Sequence, residues 1–143
     1  RGQIVHEIRR FQPEVVFAMD PMRKHSHSHR DHRISGQVAL DACFPYARDL
    51  LHYPEHISEG LETHKVGTVL LWGSEEPDVA VDISTTVDKK MTALAAHVSQ
   101  LSADMARIER FAKDRARTAA TKAADQGLTF EYAEVFRKVS FRT

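Results

Sequence analysis

The first twenty-one residues, RGQIVHEIRRFQPEVVFAMDP, constrain the fold of this chain more than any other stretch. Ile4, Ile8 and Phe11 recur at helical spacing, Pro13 cannot continue a helix, and EVVFAM at 14–19 is β-branched and aromatic. A helix followed by a strand with apolar residues on both faces is the pattern of a parallel sheet covered on both sides, which makes α/β the expected fold class. Asp20 and Pro21 close the strand. The polar loop MRKHSHSH then lies just past the carboxyl end of a parallel strand, where open α/β sheets place ligands.

The loop runs into HSHSHRDHR at 25–33. Ser28 with Asp31 is a capping-box pattern, and Ile34, Val38, Ala39 and Ala42 mark one apolar face of a helix over roughly 30–43. In an extended chain His25, His27 and His29 would share a side; at the start of a helix His29 and His32 share one. A metal site built by this segment alone would need three or four converging ligands, and a loop of this composition is more often solvated. The helical pair is the better candidate, because its imidazoles meet the same space and Asp31 can orient a ring. Spacing alone still leaves the plainer alternative open, a capped helix start with two exposed histidines.

Further along, 44–65 reads as a surface connection with a short helical turn. VGTVLLWG at 66–73 and VAVDI at 79–83 read as strands, and the short SEEPD linker suits an antiparallel pair at a sheet edge. Thr85 with Asp88 opens a helix through Val87, Met91, Leu94 and Val98. A longer helix follows from about Ser102, with Met105, Ile108 and Phe111 inward, Glu109 and Lys113 as an i,i+4 pair, and Gly127 as its stop. FEYAEVFRKVSF fits a helical turn or a strand.

The 143 residues are enough for one domain with a core. Twenty basic residues balance twenty acidic ones without a single-sign block, which argues against a nucleic-acid groove or an anionic membrane surface and favours a small ligand. Cys43 is the only cysteine, which excludes an internal disulfide and suits a reducing compartment. With no apolar run longer than VGTVLLW and no leader pattern, the expected location is the cytoplasm. The opening lacks methionine and is already helical in pattern, as expected of a chain that starts within a larger protein.

FQPEVVFAMDP followed by HRDHR, then GLETHKVGTVLLWG, VDIS and AAHVSQ, resembles the C-terminal half of the LmbE/PIG-L family of zinc-dependent N-deacetylases. The resemblance covers essentially the whole chain, 1–143, as one portion of a single domain. It implies a Rossmann-like fold, mostly parallel and flanked by helices, and removal of an acetyl group from an N-acetylglucosamine-type or related amide substrate. Carried over residue by residue, it makes His32 a zinc ligand, His29 the group beside the reacting carbonyl and Asp31 its orienting partner. His97, in AAHVSQ, is then a pocket candidate, with a structural histidine as the alternative. Asp20 is a candidate contact to sugar hydroxyls, with capping of the turn before Pro21 as the plainer role. His25 and His27 match no functional position and fall on a rim that could touch substrate.

Two departures from the family pattern stand out. Arg30 replaces the usual proline after the first histidine, and no A-H-P-D-D type motif, the family's source of further zinc ligands and the general base, occurs here. The expectation is therefore part of an active site: a chain inactive alone, needing an N-terminal half, with a homo-oligomer left open. The alternatives are a non-enzymatic metal- or sugar-binding module and a divergent inactive homologue.

Overall fold

In the computed structural model, residues 1–25, 29–101, 104–124 and 127–141 are described. The chain divides into two compact units, one built from Arg1–Asp78 and the segment from Phe136 onward, the other from Val79–Val135.

In the first unit, α1 (Gly2–Phe11) ends where Gln12 takes a left-handed conformation, and β1 (Val15–Met19) follows Pro13. α2 (Arg30–Cys43) has the boundaries that its periodicity predicts. Tyr46–Arg48 form a 3-10 turn, α3 spans Pro54–Ser58, and β2 spans Thr68–Trp72. β1 and β2 are parallel, with Val16 opposite Val69 and Ala18 opposite Leu71. These four residues face Val5 and Ile8 of α1 and Ala39, Leu40 and Ala42 of α2, and together they form the core of this unit.

Burial of β1 on both faces, expected from its composition, is not what forms. Val15 and Phe17 are exposed, Phe17 at 60%, because α1 and α2 pack on the face that carries Val16 and Ala18. Phe11 is likewise exposed; the Arg10 guanidinium stacks over its ring at 4.3 Å, so the inward stripe of α1 is Val5, Ile8 and Arg9.

The C-terminal segment resolves as a strand, β4 (Ala133–Ser140), antiparallel to β2 with Val69 opposite Val139. The hairpin expected between β2 and β3 (Val79–Asp82) therefore does not form, because β4 takes the place beside β2. The result is a mixed four-stranded sheet with flanking helices.

In the second unit, α4 (Val87–Ala95) begins after Thr86 rather than Thr85 and stops short of the expected end. His97 interrupts the helix, and Val98 starts a separate turn, α5 (Val98–Leu101). α6 (Met105–Ala124) opens where Asp104 Oδ1 accepts the Arg107 N–H at 2.9 Å. Its buried stripe is Ala116, Ala119, Ala120 and Ala123, not Phe111, which is exposed with Arg115 stacked on it. Lys113 makes the expected contact with Glu109 at 2.9 Å and another with Asp88 at 3.1 Å, and these hydrogen bonds raise its pKa. Gly127, at φ 80°, terminates α6 as its sequence position predicts: its N–H bonds Ala124 O and the Leu128 N–H bonds Ala123 O.

Candidate functional site

Two close approaches fix the end of the sheet that carries the histidines. Gly36 is buried where α2 crosses the carboxyl end of β1; a methyl group there would overlap the Met19 carbonyl oxygen and stand 3.1 Å from Pro21 Cδ. Only glycine lets the helix axis come this near the strand. Asp20 closes the turn below: its N–H donates to Trp72 O at 3.0 Å and its Oδ1 accepts the Met22 N–H at 2.8 Å. Asp20 is buried, at 2% exposure, with its carboxylate engaged in this turn.

The first turn of α2 projects from this base. His29 caps the helix; Ser26, His27 and Ser28 lie outside the described residues, and with them the expected Ser28 cap and any role for His27. His29 Nδ1 accepts the Asp31 N–H at 3.2 Å. The same nitrogen is 3.5 Å from Asp31 Oδ2. A nitrogen that accepts an N–H holds no proton to donate, so in the capped state the ring proton sits on Nε2 and the carboxylate contact is electrostatic. The His29 and His32 rings lie 5.8 Å apart, tilted by 58°, and His29, Asp31 and His32 are all exposed. The structure thus brings these three together. His25 is held apart from them by Glu75, which stands 3.3 Å from its Nδ1.

His97 belongs to the second unit, exposed in the break between α4 and α5, where its carbonyl accepts the Gln100 and Leu101 N–H groups. That unit also holds a cleft of about 370 Å³ between α4 and α6, lined by Met91, Leu94, Met105 and Ile108 with Asp88 and Glu109 at its rim. None of the residues singled out from the sequence as chemical lines it.

Zinc held for hydrolysis needs about three protein ligands with one position open. Among the described residues, no group of three or more His, Cys, Asp or Glu side chains could hold a metal ion. The first turn of α2 presents one uncommitted imidazole, His32, beside a His29 ring whose Nδ1 is engaged. This donor set fits one ligand of such a site, not the whole of it.

Sequence reasoning missed the most engaged polar residue in the fold. Arg9, 1% exposed, donates to five main-chain carbonyls, those of Tyr46, Ala47, Asp49, His52 and Tyr53, at 2.7 to 3.4 Å. Its Nη1 also stands 3.4 Å from Nδ1 of the buried His56. Burial lowers the Arg9 pKa, against the opposing fields of Asp49 and Glu55. The sequence signal was present, since Arg9 sits one position from Ile8 on the apolar flank of α1, but a lone arginine there reads as solvated.

No family model matches the chain. The matches to individual solved structures agree on the fold. By fold and sequence together, the chain is similar to LmbE/PIG-L-type deacetylases. Both the sequence comparison and the structure comparison find diacetylchitobiose deacetylases. That of Thermococcus kodakarensis is 30% identical over 105 residues, 73% of this chain and 39% of that protein. The structure of N,N'-diacetylchitobiose deacetylase from Pyrococcus horikoshii, complexed with its inhibitor MPG, superposes with a TM-score of 0.83 at 26% identity, over 97% of this chain and 50% of that one. The conserved protein TT1542 from Thermus thermophilus has a TM-score of 0.71 at 21% identity over 99% of this chain and 58% of its own, and shares the fold. So does GalB, the 4-carboxy-2-hydroxymuconate hydratase of Pseudomonas putida, with a TM-score of 0.66 at 21% identity and the same coverage. The chain spans about two fifths of the curated relative it matches and half of the Pyrococcus structure. Among the described residues, no helix is long and apolar enough to cross a membrane.

Proposed function

We propose that this chain supplies part of the active site of a zinc-dependent N-deacetylase acting on a chitobiose-type N-acetylated amino sugar. The observation that carries this reading is the exposed trio His29, Asp31 and His32 at the carboxyl end of parallel β1, on a fold that superposes closely on a diacetylchitobiose deacetylase. The fold alone would not decide the reaction, since a hydratase shares it.

In this reading His32 contributes one zinc ligand, and polypeptide outside these 143 residues contributes the others and the general base. Bound zinc would supply Lewis acidity and a water of lowered pKa. With Nδ1 capped by the Asp31 N–H, His29 keeps Nε2–H free as a donor toward the oxygen of the acetyl carbonyl as negative charge develops there.

The test is acetate release from diacetylchitobiose with zinc, by this chain alone and by a polypeptide that also carries the remainder of a deacetylase domain. The chain alone is expected to bind zinc weakly and turn over no substrate, and the longer polypeptide to do both in a chelator-sensitive way. In the longer form, His29→Ala should lower kcat by about 10²–10³, the usual cost of one oxyanion donor, with zinc content retained, whereas His32→Ala should lose the metal. Chelator-sensitive turnover by the chain alone would refute the part-site reading. Full-strength zinc binding without turnover in either form would favour a metal-binding module instead.

A further inference from the structure

Between β1 and α2 the chain is tied down by a residue that the sequence reading does not single out. Glu75, in the loop after β2, accepts the Lys24 N–H at 2.7 Å through Oε2 and the His25 N–H at 3.0 and 3.1 Å through both oxygens. The same carboxylate stands 3.3 Å from His25 Nδ1, and the neighbouring Glu76 pairs with Lys24 Nζ at 3.0 Å. Arg23 lies across Gly73, whose positive φ of 68° and missing side chain make room for the guanidinium. Lys24 and His25 of one loop are thus fastened to Glu75 and Glu76 of the other, with Arg23 packed against Gly73 beside them.

We propose that Glu75 is the positioning residue for the histidine-bearing first turn of α2. Bonds from N–H groups to a carboxylate are short and strong, and two consecutive amides on one carboxylate fix the local chain direction as well as its place. His29 follows His25 by four residues, a reach of at most roughly 14 Å in extended chain, so anchoring His25 confines where the helix cap can sit. The same contact gives the exposed His25 ring a carboxylate partner of its own, apart from His29 and His32. This inference rests on the reading of that turn as the reacting end.

The experiment is nitrogen-15 NMR on the intact polypeptide labelled at backbone and imidazole nitrogens, comparing wild type with Glu75→Ala, Glu75→Gln and, as a control, Glu76→Ala. In Glu75→Ala the Lys24 and His25 amides should exchange at least tenfold faster, while Val69 and Leu71 keep their wild-type rates. The His29 imidazole should change from the signature of a single Nε2–H tautomer to an averaged one. Glu75→Gln, which keeps one acceptor oxygen, should fall between, and it decides the matter if the alanine variant does not fold. Glu76→Ala should leave the His29 signature unchanged. Wild-type exchange at Lys24 and His25, or an unaltered His29 signature in both Glu75 variants, would overturn the proposal. Lack of deacetylase activity in every form would count against the functional reading alone, because these signals do not depend on turnover.

Discussion

Replacing Gly36 by alanine sets two effects of known size against each other. Glycine inside a helix costs about 1 kcal/mol relative to alanine, so at an open position Gly→Ala would stabilise α2 by that amount. Here the added methyl group would overlap the Met19 carbonyl oxygen and crowd Pro21 Cδ at 3.1 Å. The obstruction is backbone on one side and a rigid ring on the other, so neither can rotate away, and overpacking of this kind costs roughly 1–3 kcal/mol or more. With backbone as the obstruction the steric cost is the larger, and a net destabilisation of up to about 2 kcal/mol is expected. Urea unfolding followed by circular dichroism should show a lower midpoint with an unchanged slope. Ser35→Ala, one residue earlier on the exposed side of α2, supplies the control without the clash and should be neutral to slightly stabilising. A Gly36→Ala protein as stable as that control, or more so, would show that α2 does not pack this closely on β1, and would remove the reason given for where His29 and His32 sit.

Arg9→Ala should destabilise the first unit by on the order of 3–5 kcal/mol, since five carbonyls lose their donor at once; Arg9→Lys should recover little, because an ammonium cannot match that fork. Thermal unfolding measures both. Burial pushes the Cys43 thiol up to about 12, from an unfolded value of 9.0. A raised pKa favours the neutral thiol in the fold, so this contribution to stability is complete below about pH 9 and is lost as pH rises toward 12. Chemical denaturation from about pH 8 to 11 should show that decline in wild type and a smaller one in Cys43→Ala, and the folded thiol should react slowly with a disulfide reagent at about pH 8.

The parts of the fold that were legible were those set by local chemistry. α2 declared itself through period and flanks, and Pro13 and Gly127 punctuated the chain where their backbone restrictions say they should. What failed were inferences about neighbours. VVFAM has the composition of a strand covered on both faces, yet within these residues it ends the sheet, and composition cannot report which strands come next. The short linker between β2 and β3 made a hairpin the natural expectation; the pairing was taken by a strand far along the chain, at its C-terminal end. Phe11 and Phe111 fit their helical stripes by spacing, but each is covered by an arginine on its own helix instead of a core. At the candidate site, the proximity of His29, Asp31 and His32 was readable from helical spacing. The capping role of His29 was not, since it depends on which way one ring turns.

The engagement of Arg9 bears on how this protein can vary. All five oxygens it holds belong to the main chain, and every amino acid supplies the same carbonyl. The segment from Tyr46 to Tyr53 is thereby recognised by its path and not by its spelling, so its exposed side chains, such as Leu50 and Leu51, are free to be exchanged for one another or for polar residues at little cost. A change in its length is another matter. Inserting or deleting one residue there would move several carbonyls out of reach of a guanidinium whose position on α1 cannot follow, so this loop should be permissive to point substitution and intolerant of a change in length.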